Sequence, residues 1–137
     1  MPVVKAVPPI ELKFADTTLD FKSASSKWML LDVWGTWCSP CIKELPSIQQ
    51  YYTASLKEKD YPEVYTLSYS STKLPEFMSK NNYTFPVSEV DKKTVQSLSV
   101  IGYPTKILIT PERMALKIPF NSDWKQIIKT YMMIDEE

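Results

Sequence analysis

Trp28-Met29-Leu30-Leu31-Asp32-Val33-Trp34-Gly35-Thr36-Trp37-Cys38-Ser39-Pro40-Cys41 is the stretch that decides the fold. Its first seven residues are apolar with one exception, the pattern of a strand covered on both faces inside a parallel sheet. The exception is the carboxylate of Asp32. Gly35-Thr36-Trp37 then turns the chain into a helix, because Ile42, Leu45, Ile48, Tyr52 and Leu56 recur at intervals of three and four, with lysines near the predicted end. Cys38 therefore falls at a helix N-terminus.

Outward from this core, strand and helix patterns alternate. Residues 64–69 are rich in β-branched and aromatic side chains and predict a second strand; Thr72 then opens a short helix with Pro75 in its first turn. Asp91 caps a further short helix that contributes Val95 and Leu98, and strands over 106–110 and 115–118 flank a turn at Pro111-Glu112. A last helix from about Ser122 buries Trp124, Ile127, Ile128, Tyr131 and Ile134. Upstream, residues 10–14 and 18–21 predict a small edge hairpin around Ala15-Asp16-Thr17, and residues 1–9, with three prolines, read as an extended lead-in. The expected class is α/β, a single domain with lead-in 1–9, hairpin 10–27 and core 28–135.

A chain of 137 residues removes roughly two thirds of its unfolded surface from water and holds a core without staples. Hydrophobic residues at 44% and charged residues at 23% are ordinary values, and 16 acidic groups match 16 basic ones. No excess of charge favours nucleic acid or an anionic membrane. The first residues lack the apolar core of a signal peptide, and the apolar runs are only strand length.

Two cysteines and no histidine remove several chemistries together. A structural zinc site needs more Cys or His ligands, histidine-based catalysis is unavailable, and a c-type haem needs His where Ile42 stands. A redox pair and an inert disulfide remain for Cys38 and Cys41. Disulfide exchange needs a thiolate, and the unpaired N–H groups of a helix N-terminus lower a thiol's pKa. That makes Cys38 the nucleophile and Cys41, one helical turn on, the resolving thiol. The carboxyl of Asp32, desolvated in an apolar strand, rises in pKa and becomes a proton acceptor for Cys41. The plainer reading of Asp32 is a strand-end polar residue in a water-filled gap. The two glycines, Gly35 before the cysteine motif and Gly102 before Pro104, fall where a backbone requirement for glycine is expected. Trp34 reads as core, and Pro46 as a bend in the first helix.

Taken together, Trp34 to Cys41 and the distant Gly102-Tyr103-Pro104-Thr105 resemble the thioredoxin superfamily. Asp32 lies six residues before Cys38 and Pro46 eight after it, the offsets of that family's buried acid and helix proline. Lys43-Glu44-Leu45-Pro46 and Thr84-Phe85-Pro86-Val87 look most like its TlpA and ResA branch. The resemblance implies a thioredoxin fold, a central mixed β-sheet flanked by helices. It implies that Glu44 tunes Cys41, against the alternative of a solvated helix glutamate, and that Pro104 is a cis proline beside the disulfide rather than an ordinary turn proline. Tyr103 then offers backbone groups and a phenol to a client, with Trp37 and Pro40 on the same rim.

The resemblance further implies an enzyme, a thiol-disulfide oxidoreductase that reduces protein disulfides with no cofactor or metal beyond the Cys38–Cys41 pair. Its partners are disulfide-bearing clients and a membrane or thioredoxin-type electron donor, with no nucleic acid. It points to a monomer in a periplasmic or extracytoplasmic place, in cytochrome c maturation or general disulfide reduction. Two other readings stand beside it: a thioredoxin-fold binding module with a structural disulfide, and a thiol peroxidase. The peroxidase expects Pro and Thr at the positions held by Leu31 and Gly35.

Overall fold

The structure, a computed structural model, describes residues 4–22 and 27–136, with backbone alone for Val4 and for residues 134–136. Its central strand is β4 (Met29–Trp34), buried along its whole length. It pairs parallel with β5 (Glu63–Tyr69) on one side and antiparallel with β7 (Thr105–Ile109) on the other. Beyond β5 runs β6 (Val87–Val90), parallel, and beyond β7 come β8 (Met114–Ile118) and β1 (Val4–Ala6), both antiparallel. The sheet is therefore mixed, ordered β1-β8-β7-β4-β5-β6.

Successive β4 side chains point to opposite faces. On one face Leu30 and Trp34 meet Leu108 of β7, Leu45 and Ile48 of α1 (Ser39–Ser55) and Ile128 of α4 (Trp124–Glu136). On the other, Leu31 and Val33 meet Leu67, Ile107, Ile109 and Val95 of α3 (Lys92–Ser97). Leu12 of β2 (Glu11–Lys13) and Leu19 of β3 (Thr18–Asp20), the two strands of a separate hairpin, close that second core. Each wholly buried aliphatic side chain contributes about 1.5–3 kcal/mol. Two covered faces explain why β4 carries almost no polar residue. They also set Asp32, between Leu30 and Trp34, on the α1 face.

Several elements differ from the sequence pattern for identifiable reasons. The buried stripe of α1 is Cys41, Leu45, Ile48 and Tyr51, while Ile42 and Tyr52 are half-buried. Leu56 is 68% exposed, because the helix ends at Ser55 and the residue caps it instead of extending the stripe. The lysines at 57 and 59 likewise lie beyond the last turn. Thr72 does not cap α2 (Leu74–Lys80): with Pro75 in the first turn the cap position falls on Lys73, at φ 51°, and Glu76 sits at the positive end of the helix dipole. The strand β6 escapes a search for alternation because only Ser88 of its four residues is buried. Its entrance is fixed by side chains: the Gln49 carbonyl accepts the N–H groups of Thr84 (2.8 Å) and Phe85 (3.2 Å), and Thr66 donates through N and Oγ1 to the Pro86 carbonyl.

Part of the lead-in is a strand, since Val4–Ala6 pairs with β8 and Val7 N–H continues to the Arg113 carbonyl at 2.9 Å. Arg113, at φ 65°, takes the left-handed turn position between β7 and β8, and its N–H returns to the Thr110 carbonyl at 2.9 Å. In α4, Ile128 is buried and Trp124, Ile127 and Tyr131 half-buried, while the side chain of Ile134 lies outside the described residues. Among the described residues no helix is long and apolar enough to cross a membrane.

Candidate active site

The strand β4 ends at Trp34, and after three intervening residues Cys38 takes the cap position of α1, its backbone extended at φ −102° and ψ 105°. Cys38 N–H donates to the Gly35 carbonyl at 3.1 Å, which closes the turn. Cys38 Sγ accepts the N–H of Cys41 at 3.3 Å, doing with sulfur what Ser or Asp oxygens do at other helix starts. Pro40, in the first turn, brings a fixed φ and lacks an N–H that would have no partner there. Cys38 and Cys41 form a disulfide with Cα atoms 5.3 Å apart. Cys41 is the more deeply buried, at 1% against 5%.

Asp32 is buried beside β7, where its cross-strand partner is Lys106. Lys106 Nζ lies 3.3 Å from Asp32 Oδ1 and donates to Glu44 Oε2. Loss of water raises the Asp32 pKa to about 6, the ammonium of Lys106 pulling it down and the charge of Glu44 pushing it up. Oδ1 receives no well-directed hydrogen bond. Asp32 is therefore enclosed rather than set in a solvent gap, and Glu44, three-tenths exposed, is tied to the cluster rather than freely solvated. Sequence reasoning missed Lys106. The signal was present, since a charge two residues after Pro104, directly before the apolar run Ile107-Leu108-Ile109, is as anomalous as Asp32.

The Tyr103–Pro104 peptide is cis. Tyr103 stands edge-on to Trp37 with ring centroids 5.0 Å apart and stacks on Tyr69 at 5.9 Å. Trp37, 53% exposed, donates its indole N–H to the Tyr69 carbonyl at 2.9 Å. Burial pushes the Tyr103 phenol up, so at neutral pH it is a hydrogen-bond donor. Tyr69, brought in by β5, is the second residue that motif reading passed over. The loop after β5 is tied to the motif as well, the N–H of Thr36 donating to Ser71 Oγ at 2.9 Å.

The glycine expectation is corrected by this geometry. Neither glycine has positive φ. Gly35 is required by a side chain: a Cβ there would lie 2.4 Å from Trp37 Nε1, whereas one at Gly102 would meet nothing within 4 Å. Among the described residues no three Cys, Asp or Glu side chains converge as a metal site would need.

Comparison with known proteins places these features in a family. Thiol-disulfide oxidoreductase ResA of Oceanobacillus iheyensis is 30% identical over 138 residues, 95% of this chain and 66% of the relative. Its namesake in Bacillus subtilis is 27% identical over 115 residues, 83% of this chain and 64% of the relative. The chain thus spans just under two thirds of the length of these relatives. A secreted thiol-disulfide isomerase from Corynebacterium glutamicum superposes with a TM-score of 0.73 at 18% identity, covering 96% of this chain and 86% of the other. That likeness gives the same fold. The family model described as AhpC/TSA matches residues 3–136, and the chain belongs to that family, in which it carries the thioredoxin fold.

Proposed function

We propose that the protein is a thiol-disulfide oxidoreductase that exchanges disulfides with other proteins through Cys38 and Cys41. The observation that carries this reading is the sulfur at the helix cap, Cys38 Sγ accepting the Cys41 N–H, an arrangement that favours a thiolate over a thiol. In the reduced protein the Cys38 thiolate attacks one sulfur of a client disulfide. That bond breaks, the client's other sulfur leaves as a thiolate and takes a proton from water, and Cys38 is joined to the client. Cys41 then gives its proton to the Asp32 carboxylate and attacks Cys38 Sγ; the mixed disulfide breaks and the client's second sulfur leaves. Two electrons have passed to the client, and the protein holds the Cys38–Cys41 disulfide seen here.

The direction favoured is reduction. Ser39 and Pro40 place no charge between the cysteines, and a site that stabilises its thiolate less is a weaker oxidant. The clients are proteins with accessible disulfides, contacted by Trp37, Pro40, Tyr103 and the cis bond at Pro104. The electrons come from a membrane or thioredoxin-type donor, with the cysteine pair serving without added cofactor. A place outside the cytoplasm, as for the secreted protein compared above, is part of the proposal, as are a monomeric state and a role in cytochrome c maturation or general disulfide reduction.

Equilibration with glutathione, followed by tryptophan emission, tests the reading, because Trp34 packs in one core with both cysteines. A midpoint below about −180 mV, together with a mixed disulfide trapped on Cys41→Ser by an unfolded disulfide protein, is expected. A pair that exchanges with neither glutathione nor the protein disulfide would make the bond structural and the chain a binding module.

A further inference from the structure

The chemistry above uses Cys38, Cys41 and Asp32 and leaves one conspicuous group without a task. Lys106 is 6% exposed in a β-strand whose other buried residues, Ile107, Leu108 and Ile109, are all apolar. A buried ammonium is costly unless it is paired, and this one has two carboxylates within reach. Asp32 stands opposite it on β4, and Glu44 comes down from α1, three residues after Cys41. The ring of Trp124 from α4 covers it at 5.2 Å.

We propose that Lys106 is a positioning residue of the site, tying the Asp32 and Glu44 carboxylates into one charge cluster and governing how readily Asp32 takes up and gives up a proton. The assignment rests on the exchange reading only for its consequence in turnover. The cluster itself stands on geometry.

The groups that face Asp32 can be named element by element. Strand β7 contributes Lys106 and α1 contributes Glu44; the neighbouring β5 contributes the uncharged Thr66, its register partner; from α4 the Trp124 ring lies over Lys106 and also carries Lys125 at 5.4 Å. With both carboxylates ionised the cluster carries one negative charge in excess, and burial adds to the disadvantage. A proton on Asp32 removes that excess. Lys106 works against this protonation and Glu44 works for it. The two substitutions that break the cluster from its two ends must therefore move the Asp32 midpoint in opposite directions, which a residue that merely filled space would not do.

The experiment follows the Asp32 side-chain carboxyl carbon by NMR against pH in the full oxidised chain, for the native protein, Lys106→Met, Lys106→Arg and Glu44→Gln. The native midpoint is expected near pH 6. Lys106→Met should raise it by about one to three units, the usual effect of a neighbouring opposite charge, Lys106→Arg should restore it, and Glu44→Gln should lower it. A rise of about two units cuts the ionised fraction at pH 7 about tenfold, and release of a client from Cys38 in the reduced protein should slow by a similar factor. An Asp32 midpoint unmoved by Lys106→Met, or moved the same way by both end substitutions, overturns the proposal. Should Lys106→Met fail to fold, Glu44→Gln on the helix surface still gives the downward shift or refutes it. Shifts as expected in a chain that exchanges no disulfide support the cluster and instead overturn the exchange reading.

Discussion

Replacing Asp32 by Asn isolates the energetic effect of a buried acid. In the folded chain the Asp32 pKa is raised from 3.8 to about 6, mainly by loss of water. The native state then holds a proton over a range of pH where the unfolded chain has released it. A folded pKa above the unfolded one makes the acid's contribution to stability fully present below about pH 4. It is lost as pH rises through about pH 6. At about 1.4 kcal/mol per unit the whole effect is about 3 kcal/mol, of which about 2 falls between pH 4 and pH 6. Asparagine keeps the shape and has no such step. Urea unfolding of the oxidised native and Asp32→Asn chains at matched pH values removes the contributions of all other groups by difference. The variant should gain about 2–3 kcal/mol relative to the native chain on going from pH 4 to pH 7. A difference that stays flat across that range would refute the raised pKa, and with it the capacity of Asp32 to accept a proton from Cys41 near neutrality.

Two further outcomes follow from the local geometry. In the reduced protein, iodoacetamide should modify Cys38 well below the ordinary thiol pKa of about 8.5 and Cys41 only above it, since Cys38 alone holds the helix cap; equal rates across the neutral range would contradict the assigned roles. Gly35→Ala should leave the fold intact but displace the Trp37 indole, whose Nε1 would lie 2.4 Å from the new Cβ. The hydrogen bond to Tyr69 should then be lost, which a shifted Trp37 indole N–H resonance in the NMR spectrum would report and an unmoved resonance would disprove.

The part of the molecule most legible in the sequence is the part whose residue types have few alternatives. An apolar run with one carboxylate, a turn and two cysteines a helical turn apart leave little freedom, and β4, α1 and the cysteine pair lie as their sequence suggests. Legibility fades where a residue owes its role to another distant in sequence. Lys106 stands out as a charge in its strand, but its role comes only from the antiparallel register that sets it opposite Asp32. Tyr69 acquires its place from Tyr103 and Trp37; Gly35 owes its own to an indole only two residues on, through a side-chain placement that spacing alone does not reveal. The edge strands are hard for a different reason: β1 is three residues long with Lys5 and Ala6 exposed, and β6 four residues long with one buried, so neither a run nor an alternation marks them. Their existence depends on the unpaired groups of the strands already in place.

The side-chain fastening of β6 is uneven along the strand. At its entrance the strand is held by the Gln49 amide from α1 and by Thr66 from β5, over and above its ladder. Among the described residues no comparable side-chain bond holds Glu89 or Val90, where the ladder ends opposite Tyr69. Because β4, β5 and β6 run parallel, this looser end lies on the same side of the sheet as the cysteines. Opening at that end would expose backbone groups next to the aromatic rim, while the opposite end is tied to the helix that carries the disulfide. The side-chain fastening of β6 is thus concentrated at the end away from the cysteines, where α1 anchors it.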